Sequence, residues 1–207
     1  LNILLSHGSP DEAHRKALEA LALRVSDELG GPVSIAFLGD VLPEGAKVLP
    51  LFLTQGRHLR NDVPAMIQSA DACLLEGPAD NPEEIARMAL ELAVAARMKQ
   101  RAVMFVLYRL SGAQALMAGL YECTKKFPLP AVAGLYGQCA AASVLRLWKS
   151  EGLKDVLIQP VLLFPGHSMD ALKDTAAASG LDIAIGPALC EHPAFPAWLA
   201  GRFREAP

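Results

Sequence analysis

The strongest constraint on how this chain folds is that it repeats itself. Pro50-Leu51-Phe52-Leu53 precedes Gly56-Arg57-His58, and Pro160-Val161-Leu162-Leu163 precedes Gly166-His167. A Gly-Pro pair follows each motif after a similar interval, Gly77-Pro78 in one case and Gly186-Pro187 in the other. Similar motifs at matching positions imply a duplicated unit of about 100 residues. The sequence therefore divides into domains 1–98 and 99–207, with the boundary in Met98-Lys99-Gln100-Arg101.

Each half alternates strands with helices. In the first half the pattern predicts strands at 1–6, 33–38, 47–53 and 72–76, and helices at 10–29, 62–69 and 82–98. Ser9 is expected to cap the first helix, with Pro10 in its first position and Glu12 completing a capping box. Ala17, Leu18, Leu21, Val25 and Leu29 form its apolar stripe, and Gly30-Gly31 ends it. In the second half, strands are predicted at 102–108, 131–136, 155–163 and 182–186. Helices are predicted there at 113–126, 138–151, 169–179 and 194–204. Such alternation reads as an α/β protein with parallel sheets covered by helices on both faces. One segment breaks the symmetry: only residues 39–47 separate the second and third strands of the first half, where the second half has a helix. Parallel neighbours ordinarily need a longer crossover.

Composition narrows the function classes. Hydrophobic residues make up 52% and charged residues 20%, enough apolar material for a buried core. The net charge of −3 and the lack of any basic run argue against a nucleic-acid partner. No apolar stretch approaches the roughly 20 residues of a membrane span, and no signal peptide is visible, so a cytoplasmic protein without a membrane partner is expected. Cys73, Cys123, Cys139 and Cys190 are far apart with no CxxC, and are expected to be free thiols. Neither GxGxxG nor GxxxxGK[ST] occurs, so Gly8 and Ser9 do not make a phosphate loop.

Two histidines stand where chemistry is expected. His7 follows the first strand in Ser6-His7-Gly8-Ser9, and His58 follows the third. Ligands of open parallel sheets bind beyond the carboxyl ends of the strands, so both side chains leave the same edge. Neutral imidazole ligates late divalent metals and also accepts a proton near neutral pH; a hydrogen-bonded loop residue is the plainer alternative. Arg57 and Arg60 flank His58 and suit carboxylate binding, or are solvated loop cations. His167 is the second-half copy of His58, while Arg109 stands at the position equivalent to His7. His14 is expected to face solvent, His192 to be structural, and Asp62 to cap the following helix.

These motifs carry a family resemblance. Leu4-Leu5-Ser6-His7-Gly8-Ser9-Pro10, followed by Leu49-Pro50-Leu51-Phe52-Leu53-Thr54-Gln55-Gly56-Arg57-His58-Leu59-Arg60-Asn61-Asp62-Val63-Pro64, closely resembles the cobalt chelatase CbiX and sirohydrochlorin ferrochelatase group. Arg109-Leu110-Ser111 resembles a changed copy of the Arg-Gly-Ser of second repeats. The resemblance implies a chelatase-like fold: two similar three-layer α/β/α domains, each with a four-stranded parallel sheet, facing a cleft. It implies insertion of Co2+ or Fe2+, as substrate, into sirohydrochlorin in cobalamin or sirohaem biosynthesis, with no nucleotide cofactor. The family's paired histidines map onto His7 and His58 as metal ligands and proton acceptors, and the tetrapyrrole's carboxylates give Arg57 and Arg60 a partner. A homodimer is left open. The chain departs from the pattern after the second strand, where relatives often carry Glu. Here Phe37-Leu38 is followed by Gly39 and Asp40, so a third, acidic ligand is either lost or replaced by Asp40. The alternative to an active enzyme is therefore a non-catalytic family member that binds metal or tetrapyrrole. An unrelated α/β hydrolase or transferase using His7 as acid–base is a third reading, and it lacks a GxSxG elbow.

Overall fold

The apolar runs become strands because both their faces are covered. In β1 (Asn2–Ser6) burial runs unbroken from Ile3 to Ser6, as expected of a parallel strand between helical layers. The computed structural model describes residues 1–108, 111–127, 129–136 and 140–205. After β1 come α1 (Glu12–Leu29), β2 (Val33–Phe37), β3 (Lys47–Pro50), α2 (Val63–Ser69), β4 (Cys73–Leu74) and α3 (Pro82–Ala96). The second half supplies β5 (Ala102–Tyr108), α4 (Gln114–Lys126), β6 (Ala131–Tyr136), α5 (Ala140–Ser150) and β7 (Asp155–Val161). It ends with α6 (His167–Ser179), β8 (Asp182–Ile185) and α7 (Phe195–Glu205).

The strands form two four-stranded sheets, ordered β2-β1-β3-β4 and β6-β5-β7-β8, and every pairing is parallel. The same order twice is the duplication read from the sequence. In the first sheet Leu5 pairs with Ala36 on one side and with Pro50 on the other. Ile3, Leu5, Ala36 and Val48 share one face and pack with Leu42, Phe52, Leu59 and Val63. Leu4 and Leu49 alternate to the opposite face and are fully buried.

The short connection in the first half is explained by the strand order. β2 and β3 flank β1 instead of pairing with each other, so residues 38–46 cross over β1 as a loop with a turn at each end, at 38–39 and 44–45. A chain of that length reaches roughly 30 Å, enough for the crossing without a helix. Leu42 and Ala46 are buried in the core on that face. In the second sheet, Ala141 and Leu145 of α5 supply the corresponding cover.

The compact units differ from the consecutive halves 1–98 and 99–207. One comprises Leu1–Pro82 with Pro193–Pro207, and the other Glu83–His192. Helix α3 thus belongs with the sheet that follows it: Cys123 donates its Sγ hydrogen to the Ala86 carbonyl at 3.5 Å, and His192 Nε2 lies 2.9 Å from Glu91 Oε2. Helix α7 returns to the first unit, where it packs on α1 and β3, and Arg204 donates to the Glu28 carbonyl at the end of α1.

Several boundaries shift. The α1 cap is Asp11 and not Ser9: Asp11 Oδ1 accepts the Ala13 N–H at 2.9 Å, while Ser9 Oγ accepts the Asp11 N–H at 3.1 Å. Strand β3 stops at Pro50, and β4 is only Cys73–Leu74. Cys123 and Cys190 are buried and Cys73 is half-buried, and none of the three is in a disulfide; Cys139 and Arg109 lie outside the described residues. Among the described residues no helix is long and apolar enough to cross a membrane.

The paired Gly-Pro motifs have a packing cause. A Cβ at Gly77 would overlap the Pro50 carbonyl oxygen, and one at Gly186 would overlap the Gln159 side-chain amide. In both halves glycine lets the loop after the fourth strand close against the third strand. Gly77→Ala is expected to cost about 1–3 kcal/mol through overpacking, read as a lower denaturant midpoint. Gly31→Ala, where an added Cβ meets nothing, is expected to stay within about 0.5 kcal/mol. Equal midpoints for the two variants would refute this account.

Candidate active site

The strand order creates one distinctive place on the first sheet. From β1 the chain passes through α1 to β2 on one side; from β3 it passes through α2 to β4 on the other. Right-handed crossovers send such connections to opposite faces, and the carboxyl ends of β1 and β3 are the place where open parallel sheets of this order bind ligands. His7 follows β1, and His58 follows β3 after a short loop. The sequence places both histidines at this switch point, and the structure gives both exposed side chains.

His7 is positioned by the turn between β1 and α1. Gly8 adopts φ +80°, a left-handed conformation that costs glycine little and other residues more. The His7 ring centroid lies 5.5 Å from that of His14 and 6.5 Å from that of Phe52. The expectation that His14 faces solvent is corrected. His14 is buried in the first turn of α1, and its Nε2 is hydrogen bonded to Ser6 Oγ at 3.3 Å. Its spacing shows why: His14, Leu18, Leu21 and Val25 lie on one helical stripe. Burial pushes the His14 pKa below its ordinary value, the nearby His7 pushes it the same way, and Asp11 partly offsets them.

His58 is positioned by a π-helical turn. His58–Asp62 forms this turn, closed by the Val63 N–H donating to the His58 carbonyl. Leu59 and Val63 are buried and join the core, so they anchor the turn and leave Arg57, His58 and Arg60 exposed. The wide turn sets His58 beside Asp62, with His58 Nδ1 2.6 Å from Asp62 Oδ2. Asp62 makes no capping hydrogen bond to α2, which corrects the expected capping role. The Phe52 ring, 6.4 Å from that of His58, stands against both site imidazoles. Phe52 is nearly buried, and its role as spacer carried no signal beyond that of a core residue.

The remaining candidates fall into place around this pair. Arg57 and Arg60 stand on either side of His58 along the turn, and their guanidinium groups make no hydrogen bond or ion pair within the described residues. Asp40 closes its own turn: its Oδ2 accepts the Phe37 N–H at 2.8 Å, and its own N–H donates to the Phe37 carbonyl at 3.0 Å. Its carboxylate is thus engaged at the end of β2. Among the described residues no group of three or more His, Cys, Asp or Glu side chains could hold a metal ion. In the second unit His167 is exposed and begins α6, and His192 is buried and paired with Glu91, as expected of a structural histidine.

Two parallel four-stranded sheets of the same order, with an imidazole pair at one switch point, define a chelatase-like α/β protein. The CbiX family model matches residues 1–122, more than half of the chain, and the chain belongs to the CbiX family. Solved structures share the fold over nearly its whole length. One described as CbiX, the terminal enzyme for biosynthesis of siroheme in denitrifying bacteria, matches with a TM-score of 0.76 and 19% identity, covering 100% of both chains. SirB from Bacillus subtilis with Fe3+ matches with a TM-score of 0.72 and 16% identity, covering 98% of this chain and 93% of that one. DR2241 from Deinococcus radiodurans, a multi-domain protein with structural similarity to chelatases and two additional novel domains, gives a TM-score of 0.72 at 13% identity. That match covers 97% of this chain and 54% of the other. At such identities the likeness is one of fold. No curated protein matches the chain.

The buried His14 makes stability depend on pH in a defined direction. Its folded-state pKa lies below the ordinary histidine value of about 6.5. At higher pH it is neutral both folded and unfolded. As pH falls through that value the unfolded chain takes up a proton that the native site resists, so stability is lost until the lower, folded pKa is passed. Chemical denaturation of the metal-free protein is expected to show this loss below about pH 6.5. His14→Gln should flatten the profile; an unchanged profile would show that His14 is not the group responsible.

Proposed function

We propose that this chain is a metal chelatase that inserts Co2+ or Fe2+ into sirohydrochlorin, serving cobalamin or sirohaem biosynthesis in the cytoplasm. The observation that carries the reading is the His7–Phe52–His58 arrangement at the β1–β3 switch point, flanked by Arg57 and Arg60. Family membership gives the arrangement its context.

The chemistry suits the residues. Insertion exchanges two pyrrole N–H protons for one divalent ion, with no change of oxidation state and no nucleotide consumed. Neutral imidazoles at His7 and His58 hold the incoming ion and, once it has passed to the macrocycle, take up the two displaced protons on the nitrogens it leaves. A small donor set also favours release. Structural zinc sites with a full protein ligand set hold their ion by roughly 10–16 kcal/mol, whereas an ion destined for a macrocycle has to leave. Arg57 and Arg60 face solvent with free guanidinium groups, and they bind the tetrapyrrole's carboxylates in charge-assisted pairs.

A second reading, a family member that binds metal or tetrapyrrole without turnover, has one observation in its favour. Asp40 is engaged by the Phe37 N–H, and no three-donor set exists among the described residues. Anaerobic metal insertion followed by absorbance separates the two. The chelatase reading expects catalysis above the spontaneous rate, with His7→Ala and His58→Ala each reducing it about 10²–10⁴-fold. Tetrapyrrole binding without acceleration would establish the second reading. Arg57→Ala and Arg60→Ala are each expected to raise KM for the tetrapyrrole about tenfold or more with kcat little changed; an unchanged KM would remove both arginines from the site.

A further inference from the structure

We infer that Asp62 is a positioning residue for His58: it fixes the imidazole in the Nδ1–H tautomer and directs Nε2 outward as the only nitrogen with a free lone pair. This rests on the reading of His58 as a metal-handling group and assigns it a partner. The geometry is specific. The π-helical turn His58–Asp62 brings the two side chains together four residues apart, with Nδ1 and Oδ2 at 2.6 Å. An ionised carboxylate only accepts hydrogen bonds. The proton between them is therefore carried by Nδ1, in the neutral ring as in the cation. In the neutral ring Nε2 then keeps its lone pair, the state required both to ligate a metal and to accept a pyrrole proton.

Among the described residues the Asp62 carboxylate has one side-chain partner, His58. It makes no side-chain cap to α2, and the buried neighbours Leu59 and Val63 hold the turn without it. Both partners are partly exposed, with side-chain exposures of 58% for His58 and 44% for Asp62. The contact therefore adds little to stability, and its effect lies in the direction and tautomer of the ring. Carboxylate partners of this kind commonly change metal affinity about 10–100-fold when removed.

The test reads the ring directly. Long-range proton–nitrogen NMR of histidine-labelled, metal-free protein at about pH 8, where histidines are mostly neutral, is expected to show His58 as the Nδ1–H tautomer. Asp62→Ala should return it toward the mixture of a free imidazole. Asp62→Asn, whose amide oxygen still accepts from Nδ1, should largely preserve the tautomer. Titration with Co2+ alone should then show binding weakened about 10–100-fold in Asp62→Ala and less in Asp62→Asn, with both variants folded by circular dichroism. An unchanged His58 tautomer in Asp62→Ala would overturn the inference. If His58→Ala left Co2+ binding intact, the metal-handling reading of His58 would fail by itself, and the tautomer measurement would still decide the role of Asp62.

Discussion

The pairing of β1 with both β2 and β3 is the constraint on which the rest of this molecule depends. Leu5 pairs with Ala36 and with Pro50 in the same layer, and that double register fixes where both neighbouring strands end. A slip of one residue would turn Ile3 and Leu5 out of the core they share with Val48 and Phe52, so the register is strongly specified. The connections from β1 and β3 must then diverge, and the residues just beyond those strands are left at the carboxyl edge of the sheet. His7 and His58 owe their position to buried Leu, Ile and Val side chains several residues away more than to contacts of their own.

That dependence explains what was legible in the sequence. Strands buried on both faces read as continuous apolar runs, and helices between them read by spacing, so the alternation and the duplication were both visible. Two histidines at strand ends followed from the same pattern. What the sequence left degenerate were choices between equivalent local options. Ser9 and Asp11 are both good cap residues, and Asp11 takes the position. Asp62 could equally cap a helix or meet the residue four before it. The choice was made by a wide turn whose hydrogen bonds leave no trace in apolar periodicity. His14 was legible from its place on the Leu18–Leu21–Val25 stripe, although its polarity argued the other way.

The division into compact units was hidden for another reason. Sequence repeats record duplication, whereas compactness records which helix covers which sheet. Helix α3 follows β4 in the chain yet packs in the unit of β5 to β8, and α7 closes back on the unit of β1 to β4. Each half keeps its own packing device, a glycine pressed against the third strand at Gly77 and at Gly186. The cover over the crossover differs, with Leu42 and Ala46 in one unit and α5 in the other. The local backbone differs too, since His167 begins a helix where His58 begins a π-helical turn. Each sheet must bury its own core, so packing requirements act on both halves alike.

A metal-transfer site of the kind proposed for this chain has to reconcile two requirements that pull apart. The donors must be few, so that an ion can move on to a stronger macrocyclic ligand, and they must be firmly held, so that the ion meets them in a usable orientation. Here the two properties come from different parts of the molecule. Among the described residues the loops after β1 and β3 supply two exposed imidazoles, each with its ring near that of Phe52, while Asp40 accepts from a backbone N–H and Asp62 pairs with His58. The core supplies the firmness: Leu59 and Val63 pin the turn that carries His58, and β1 with the buried Ser6–His14 pair backs His7. Adding a third donor would raise affinity at the expense of release, and loosening the core would free the turn that carries His58. On the proposed chelatase reading, the loops set the number of ligands and the sheet beneath them sets where those ligands stand.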